Sequence, residues 1–337
     1  MRVVLYIARR LLFVVPQAIG ISVVTFVLVR VLPGDPALVL LGTNATESSI
    51  QAVEERLGLD KPLYEQYWLY IKDVAQGDLG TSLITGNPVR EDLLDRLPAT
   101  LELILLGLLL SLLIGIPLGV ITALSGSKGW PDRLTSPYGL FAGSIPDFWV
   151  GLILILIFYR YLDWVPAPLG QIQIGVSPPD KITGMYVVDS VLTGNWEAFK
   201  SSGSRLILPL ATLVFVYTAP IVKMTRSSMD EVLNSGFVDH FEALGLSRRS
   251  IVLKALKNAL PPVVTILGVL FGYLLGGAVL VEIVFSWGGA GQYAVQAIAN
   301  ADFAAIQGFV LIAAVFSLLT YLVVDLLYFA LDPRIKY

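Results

Sequence analysis

Six long apolar stretches constrain the fold of this 337-residue chain more than any other feature of its sequence. Each exceeds the about 20 residues that an α-helix needs to cross the hydrocarbon core of a bilayer. Backbone polar groups in lipid must pair with one another, which a helix achieves within a single segment. The stretches are Leu11–Leu32, Ala99–Leu124, Thr135–Tyr161, Leu206–Met229, Val263–Ser286 and Ile306–Leu331. The sequence therefore predicts an all-α polytopic membrane protein with six transmembrane helices.

The composition and the N-terminus agree with this interpretation. Hydrophobic residues make up 55% of the chain and charged residues 15%, and the mean hydropathy is +0.75. The first stretch follows Arg2, Arg9 and Arg10, as the core of a secretory signal would. A signal core, however, spans only about 7–15 residues and ends at a small-residue cleavage site. The apolar run here continues to Leu28 without such a site, so we expect a retained helix.

Lysine and arginine are distributed unequally over the segments between the stretches. If the N-terminus lies inside, the inner segments carry 13 basic residues, whereas the outer segments carry 10 over roughly twice the length. Basic residues favour the cytoplasmic side of a membrane. Both termini are therefore expected in the cytoplasm.

The apolar stretches divide the chain into three parts. Residues 1–32 hold the N-terminus and the first span, residues 33–98 form an outer subdomain, and residues 99–337 carry the other five spans. A second outer loop, Leu162–Ser204, is rich in Pro, Gly and Asp. Two interpretations stay open for both outer loops: a lid over the helix ends, or a surface that also receives a periplasmic partner.

The outer subdomain is expected to be helical, because it carries residues typical of helix ends. Pro62 suits the start of a helix that Gly77 ends. An earlier helical turn, Ile50–Leu57, is predicted from candidate caps on either side of it. Those caps are Thr46, Ser48, Ser49 and Gly58.

One inner loop, residues 230–262, is longer than the others and predicts two short helices about a tight turn. Gly245 can adopt the left-handed conformation that ends the first helix, and Ser247 can cap the second. From Ile251 onward, apolar side chains fill an arc of about 200° around the helix axis, and polar ones such as Lys254 fill the rest. Taken alone, the pattern is equally typical of an interfacial helix near anionic headgroups.

This loop resembles the EAA loop of ABC importer permeases, which carries a glycine, then an isoleucine, then Leu-Pro. Here these residues are Gly245, Ile251 and Leu260-Pro261. Further segments resemble the dipeptide/oligopeptide (peptide, nickel and opine) subfamily, first-permease-subunit type. In chain order they are Pro33-Gly34-Asp35-Pro36, Leu57-Gly58-Leu59-Asp60-Lys61-Pro62, Gly77-Asp78-Leu79-Gly80, Ala99-Thr100-Leu101-Glu102-Leu103, Met224-Thr225-Arg226-Ser227-Ser228-Met229, Phe285-Ser286-Trp287 and Asp332-Pro333-Arg334. The resemblance implies a type I ABC importer transmembrane domain with a helical periplasmic insertion after the first helix.

In that family the inner loop carries a coupling helix, which sits in a cleft of a cytoplasmic ATP-binding subunit and converts closure of the ATPase dimer into movement of the bundle. Pro261 and Pro262 would stiffen its junction with the fifth span. The residues that the resemblance assigns to this loop are Asp239, His240, Phe241, Glu242, Ala243, Leu244, Gly245, Leu246, Ser247 and Ile251. The implied partners are a homologous second permease subunit, two cytoplasmic ATP-binding subunits, a periplasmic substrate-binding protein and the lipid of a bacterial inner (plasma) membrane.

The loop departs from the family pattern just before its glycine. Members usually carry small and basic residues there, whereas this chain has Asp239 and Glu242 in place of two bases. Leu244 replaces a third base, and the bulky Phe241 replaces a small alanine. Either the ATPase groove has changed to match, or the usual residue-level contacts do not transfer to this chain.

The chain lacks the sequence motifs of an enzyme. It has no Gly-x-x-x-x-Gly-Lys-Ser/Thr, no His-Glu-x-x-His and no Gly-x-Ser-x-Gly, and its single histidine is His240 in the inner loop. It has no cysteine for disulfides or metal sites, and a net charge of −3 gives no indication of a nucleic-acid partner. We therefore predict no catalytic, cofactor or metal site, and ATP hydrolysis by separate subunits.

Small residues recur at four-residue spacing within two of the stretches, which lets helices approach closely in lipid. They are Gly107, Ser111, Gly115 and Gly119 in the second stretch, and Gly268, Gly272 and Gly276 in the fifth. Static packing and a sliding or path-lining surface both stay open for these ridges. Ionisable residues in or near the spans avoid lipid. Among them, Arg226 and Glu282 are candidates for a translocation path or gate, although Arg226 also suits the cytoplasmic boundary and Glu282 a paired structural charge.

Two other transport classes are alternatives to an importer permease. A secondary transporter would need coupling-ion sites in broken helices, often with inverted repeats, and a channel would need a filter motif. The sequence shows no repeat that relates spans one to three with spans four to six, and no filter motif. The subfamily resemblance suggests di- or oligopeptides as substrate, but its members also carry nickel chelates, opines, sugars and haem.

Overall fold

The computed structural model describes residues 2–31, 46–48, 51, 55, 60–126 and 129–331 of the chain. The segments Pro33-Gly34-Asp35-Pro36, Leu57-Gly58-Leu59 and Asp332-Pro333-Arg334 lie outside these residues, as does most of the turn predicted at Ile50–Leu57 with its candidate caps Ser49 and Gly58.

Helices form the whole framework of the described part, as the composition predicted. Eleven α-helices and one π-helix have their bounds within the described residues. They are α1 (Arg2–Val31), α2 (Leu63–Ala75), α3 (Val89–Ser125), α4 (Trp130–Ser144), α5 (Asp147–Leu154), the π-helix (Ile155–Tyr161), α6 (Tyr186–Thr193), α7 (Trp196–Leu233), α8 (Gly236–Ala243), α9 (Arg248–Val284), α10 (Ala290–Ala299) and α11 (Phe303–Leu331).

Four of the described helices, α3, α7, α9 and α11, are long and apolar enough to cross a membrane. The bent pair formed by α4 and the segment that begins with α5 counts as a fifth span if its two parts cross together. The first predicted stretch lies within α1, whose apolar part Val15–Arg30 is shorter than the others. The described residues thus show a polytopic helical membrane protein, and the count of six spans stays a prediction.

The third apolar stretch is not the straight helix that the sequence predicted. Helix α4 ends at Ser144, α5 begins at Asp147, and the two are bent by 105°. Ile145 is extended, with φ −106° and ψ 132°, because a residue that precedes proline, here Pro146, is disfavoured in the helical region. The second half then continues into the seven-residue π-helix Ile155–Tyr161, a rare element that is frequent at functional sites.

The inner loop also differs from its prediction at Pro261 and Pro262. These prolines lie inside α9, a continuous helix of 37 residues, so the second short helix of the loop and the fifth span are one element rather than two joined at a junction. A buried stripe explains why the helix continues through them. Its members at four-residue spacing are Ile251, Ala255, Ala259 and Val263, all at most 5% exposed. The free energy gained by packing along this stripe outweighs the free energy that the two prolines cost inside a helix.

The chain divides into two compact units, of which the first comprises residues 1–98 and 288–318. Its described core is a cluster of small and aliphatic side chains around Tyr293. Asp302 is fully buried there and accepts hydrogen bonds from the Ser82 hydroxyl (2.6 Å) and the Leu83 N–H (2.8 Å). Its other carboxylate oxygen accepts from the N–H of Ala305 in the first turn of α11. Asp302 therefore ties the turn after Leu79 to the start of the last helix.

The second unit comprises residues 99–287 and 319–337, and the packing of α3 against α7 is central to it. A Cβ atom added at Gly107 would lie 3.1 Å from Leu213, one at Gly115 2.7 Å from Ile221, and one at Gly119 2.6 Å from Thr225. Ser111 on the same ridge is fully buried. The close helix approach predicted for the second stretch is confirmed, and this ridge serves as packing against α7.

Candidate functional site

The inner loop turns at Gly245, as its sequence predicted. Gly245 has φ +72°, in the left-handed region that glycine adopts without a steric penalty. The Leu246 N–H donates to the Phe241 carbonyl (3.1 Å) and the Gly245 N–H to that of Glu242 (2.9 Å). These two bonds form the Schellman motif that satisfies the last carbonyls of a helix. The turn therefore ends α8 and fixes the direction of the chain that follows.

Ser247 begins the next helix, again as predicted. Its backbone is extended, with φ −66° and ψ 145°, and its hydroxyl accepts a hydrogen bond from the Ser250 N–H (3.4 Å). Ile251 follows in the first turn and is 5% exposed. Only Gly245 and Leu246 thus separate the C-cap of α8, Leu244, from the N-cap of α9, Ser247. A tight turn therefore attaches the short helix α8 to the long helix α9.

One side of α8 is exposed and the other packs inward. The exposed residues of α8 and of the turn that follows it are Gly236, Asp239, His240, Glu242, Ala243, Leu244 and Gly245. Leu244, 61% exposed, replaces a base of the family pattern and leaves an apolar side chain at the tip. The two acidic departures, Asp239 and Glu242, are both exposed.

Phe241, the bulky departure, belongs to the inward side. Its ring stands edge-to-face against Phe237, with centroids 4.6 Å apart and an interplanar angle of 83°. The ammonium group of Lys254 on α9 lies 5.3 Å from the centroid of the same ring. Aromatic pairs and cation–π contacts of this kind each stabilise by about 0.5–1.5 kcal/mol. Phe241 thus holds α8 against α9, a role that a small alanine would not fill.

An open cleft of about 450 Å³ lies beneath the inner loop. Val238, Glu242, Leu246 and Arg248 line it from the loop, and Ala123 from the inner end of α3. The lining is partly apolar and carries one charge of each sign. The inner loop therefore packs only partly against the helix ends beneath it, because the cleft lies between them.

Arg226 lies at the base of the loop, where its guanidinium is fully engaged. It pairs with Asp132 at the start of α4, and its Nε lies 3.7 Å from the carboxylate of Asp230 one turn further along α7. The ion pair with Asp132 joins two helices that are 94 residues apart in the sequence. This placement favours the boundary role that the sequence allowed for Arg226 over the role of a gate.

Glu282, the other gate candidate, is fully buried near the outer end of α9. It accepts a hydrogen bond from the Thr100 hydroxyl at 2.5 Å. Nearby, the indole N–H of Trp287 donates to the Ala99 carbonyl (3.1 Å). Both bonds join the end of α9 to the same turn of α3. The geometry favours a structural role for the Glu282 carboxylate, hydrogen-bonded to Thr100, over a path-lining one.

The glycine ridge of the fifth stretch divides into two parts. A Cβ atom at Gly268 would lie 3.3 Å from Tyr321 and Val324 of α11, and one at Gly272 3.5 Å from the Tyr321 hydroxyl. Gly276 has no heavy atom within 4 Å of its Cβ position and is exposed. Gly268 and Gly272 therefore pack against the last helix, and only Gly276 lies on an open face.

That open face runs along the membrane-embedded half of α9. Its exposed members, spaced alternately four and three residues apart, are Val269, Tyr273, Gly276, Leu280 and Ile283. Tyr273 is 68% exposed near the middle of the fifth stretch. A tyrosine hydroxyl at that depth has no water to bond in lipid, and tyrosine favours the membrane interfaces instead. At Tyr273, this face of α9 therefore suits contact with a polar group better than contact with lipid.

Asp147 was not predicted as a site residue, and the structure places it among three helices of the second unit. Asp147 is the first residue of α5, directly after the 105° break. The Tyr217 hydroxyl of α7 donates to its Oδ2 at 3.4 Å, and a Cβ atom at Gly277 of α9 would lie only 2.8 Å from the same oxygen. The available signal was Pro146-Asp147 in the middle of an apolar stretch, where an acidic residue is unfavourable in lipid.

Comparison with known proteins gives a consistent set of relatives. The model of the family described as binding-protein-dependent transport system inner membrane component matches residues 115–337, and the model of its N-terminal part matches residues 3–104. The chain is 44% identical over 317 residues to the probable D,D-dipeptide transport system permease protein of Escherichia coli K12, covering 94% of this chain and 93% of the relative. It is 42% identical to the dipeptide transport system permease protein of Alkalihalophilus pseudofirmus, covering 98% and 99%. It is 35% identical to a glutathione transport system permease protein of Escherichia coli O6:H1, again covering 98% and 99%.

Proposed function

Because the chain belongs to the family of inner membrane components of binding-protein-dependent transport systems, the permease subunits of ABC importers, we propose that it imports short peptides. A homologous second permease forms the path together with this chain, and a periplasmic binding protein delivers the peptide. Two cytoplasmic ATP-binding subunits supply the energy. The relatives named for D,D-dipeptides, dipeptides and glutathione support short peptides as the substrate class.

The observation that carries this proposal is the inner loop joined to an unbroken helix. The exposed helix α8 turns at Gly245 directly into α9, which runs without interruption from the loop to Val284. A displacement of α8 by a closing ATPase dimer therefore reaches the membrane-embedded half of α9 without a flexible junction. ATP binding then shifts the permease between two states because the α8 contacts differ between them.

The charge of the loop indicates which ATPase surface it fits. Asp239 and Glu242 are both exposed on α8. We propose that the groove of the cognate ATP-binding subunit carries basic residues opposite them, since complementary charges across an interface set partner choice and register. Leu244 at the tip supplies an apolar contact in the same groove.

The location follows from the family and from the basic residues. The protein spans the bacterial inner membrane several times, with both termini and the loop at 230–262 in the cytoplasm. The described outer segments, α2 and the turns and helix between the π-helix and α7, then face the periplasm. There they offer a surface to the binding protein.

Reconstitution tests the proposal directly. The chain is co-expressed with its cognate second permease and ATP-binding subunits, and the complex is purified. It is then placed in proteoliposomes with the cognate binding protein and L-alanyl-L-alanine. We expect uptake that needs both ATP hydrolysis and the binding protein. Uptake driven by an ion gradient without ATP would establish a secondary transporter, and uptake down the peptide gradient alone would establish a channel.

A further inference from the structure

We propose that Asp147, together with the Tyr217 hydroxyl, binds the primary ammonium group of the transported solute partway through the membrane. The inference rests on the proposed import function and assigns to it one required feature of the substrate. Neither residue belongs to the inner loop or to the pair formed by Glu282 and Thr100.

The depth of the cluster comes from three independent helices. Asp147 lies near the middle of the third apolar stretch, Tyr217 near the middle of the fourth and Gly277 near the middle of the fifth. The structure brings all three together, with the Tyr217 hydroxyl 3.4 Å from Asp147 Oδ2. The cluster therefore lies deep within the span rather than at either membrane surface.

The local structure holds the carboxylate in place and leaves it accessible. The break at Pro146 ends α4, so Asp147 begins a new helix, and its Oδ1 accepts a hydrogen bond from the Phe148 N–H (2.8 Å). Gly277 leaves room for the other oxygen, because any side chain at that position would come within 2.8 Å of Oδ2. Tyr217 is 8% exposed, whereas Asp147 is only half-buried. One side of the carboxylate is therefore open to a ligand.

Asp147 has neither a cation nor the full set of hydrogen bonds that other acidic residues of the described part have. In the part of the chain that the structure describes, Asp92 pairs with Arg96 at 2.9 Å and Asp132 pairs with Arg226. No Lys, Arg or His of that part forms an ion pair with Asp147, which accepts only the Phe148 N–H and the long bond from Tyr217. A carboxylate at membrane depth is unfavourable without a partner of opposite charge. A cation from outside the described chain would offset this cost.

A primary ammonium group is the cation that fits this arrangement. It is a compact charge with three donors, which the open side of a carboxylate and a neighbouring hydroxyl oxygen can accept together. Every peptide with a free N-terminus carries such a group. The exposed Tyr273 lies one helical turn from Gly277 on α9, so one further hydroxyl group is exposed near this position of the helix. A lysine of the second permease offers the same chemistry, and the experiment separates the two sources.

The first experiment changes Asp147 in the assembled complex with its binding protein and measures L-alanyl-L-alanine molecules imported per ATP hydrolysed. Asp147→Asn removes the charge at constant size and should lower this ratio about tenfold, the usual worth of a hydrogen bond to a charged group. Asp147→Glu should recover part of the loss. Binding-protein-stimulated ATPase activity should stay near the parent value, because delivery and the inner loop are unchanged. Asp325→Asn, the same substitution in α11, is the matched control and should leave the ratio unchanged.

The second experiment uses the unaltered complex in nanodiscs without the binding protein. Saturation-transfer NMR compares L-alanyl-L-alanine with propionyl-L-alanine, which differs only by loss of the amino group. We expect a clear signal for the first probe and a much weaker one for the second. This comparison stands whether or not any Asp147 variant assembles.

The outcomes separate this inference from the import function. If the parent complex imports the dipeptide and Asp147→Asn imports it equally well, the inference is wrong and the import function stands. Equal NMR signals for the two probes also overturn it. If Asp147→Asn no longer co-purifies with the second permease, the cation is a partner residue and the solute assignment is wrong. Failure of the parent complex to import with ATP would overturn the import function itself.

Discussion

Replacing Gly245 by valine changes the turn between α8 and α9 through its backbone alone. Gly245 has φ +72° and is exposed, and no heavy atom lies within 4 Å of the position of its missing Cβ. The penalty is therefore conformational rather than a clash. The left-handed region is unfavourable for an L-residue by roughly 1–2 kcal/mol, and a β-branched side chain is the least tolerant. A change of that size lowers the population of the native turn about 5- to 30-fold.

The variant is assayed as the assembled complex in proteoliposomes. We expect normal insertion and expression, because the turn lies outside the membrane, but a loss of both binding-protein-stimulated ATPase activity and uptake. Gly236→Val is the matched control: Gly236 begins α8, has no heavy atom within 4 Å of its Cβ position and lies in helical backbone. Gly245→Asn is the second control, since asparagine tolerates the left-handed region, and it should keep most of the activity.

Two results would refute this reasoning. If stimulated ATPase activity in Gly245→Val matches the parent, the left-handed turn does not position α8 for coupling. If Gly236→Val loses as much activity as Gly245→Val, any added bulk in α8 is harmful and the conformation of the turn is not the cause.

The acidic face of α8, the outer end of α9 and the second outer loop each give a further test. Asp239→Arg combined with Glu242→Arg should weaken co-purification with the native ATP-binding subunits at low salt, because like charges would meet in a partly desolvated groove. Thr100→Val removes the hydroxyl that donates to Glu282 and should lower stability by about 1.5–3 kcal/mol, measured as the thermal midpoint in detergent. Burial alone would raise the pKa of Asp189, but hydrogen bonds from a side-chain hydroxyl and three backbone N–H groups outweigh it and hold the pKa below its usual 3.8. The stability that Asp189 contributes is therefore present above pH 3.8 and is lost as the pH falls through the lowered pKa of the folded state. In a plot of the thermal midpoint against pH, Asp189→Asn should remove this loss at acid pH.

Each of these tests has a control and a contradicting result. Glu231→Arg is the control: it makes the same kind of substitution, with half the charge change of the double variant, at an exposed position of α7 outside α8. Equal co-purification of the double variant and the parent would show that the two acids are ordinary surface charges. Thr100→Ser keeps the hydroxyl and should retain the stability that Thr100→Val loses; equal midpoints for both would contradict the bond to Glu282. Asp180→Asn, an exposed change in the same outer loop, should leave the acid limb of the curve unchanged.

Local rules explain what the sequence could predict. Gly245 and Ser247 took their predicted conformations because a Schellman turn and a helix cap depend on a few neighbouring backbone groups. The small-residue ridge of the second stretch packs closely against α7 because the small side chains of glycine and serine let the two helix backbones approach each other. These features need no knowledge of distant residues.

Packing between distant residues explains what the sequence could not predict. The Pro261-Pro262 pair was expected to mark a junction, but the buried stripe from Ile251 to Val263 keeps α9 continuous. The partner of Glu282, Thr100, is 182 residues away in the sequence, so a gate and a structural pair were indistinguishable beforehand. Asp147 was missed because one apolar stretch was taken as one straight helix, although Pro146 precedes it directly.

A single-cysteine experiment tests most directly whether α8 couples this permease to a separate ATPase. The chain has no cysteine, so Ala243→Cys on the exposed side of α8 is a unique probe, and Ser177→Cys in the second outer loop is its control. Each variant is labelled with a maleimide in the purified complex, before and after the ATP-binding subunits are stripped. The account predicts that Ala243→Cys is protected from labelling until the subunits are removed, while Ser177→Cys labels equally in both states. Equal labelling of Ala243→Cys with and without the subunits would contradict it.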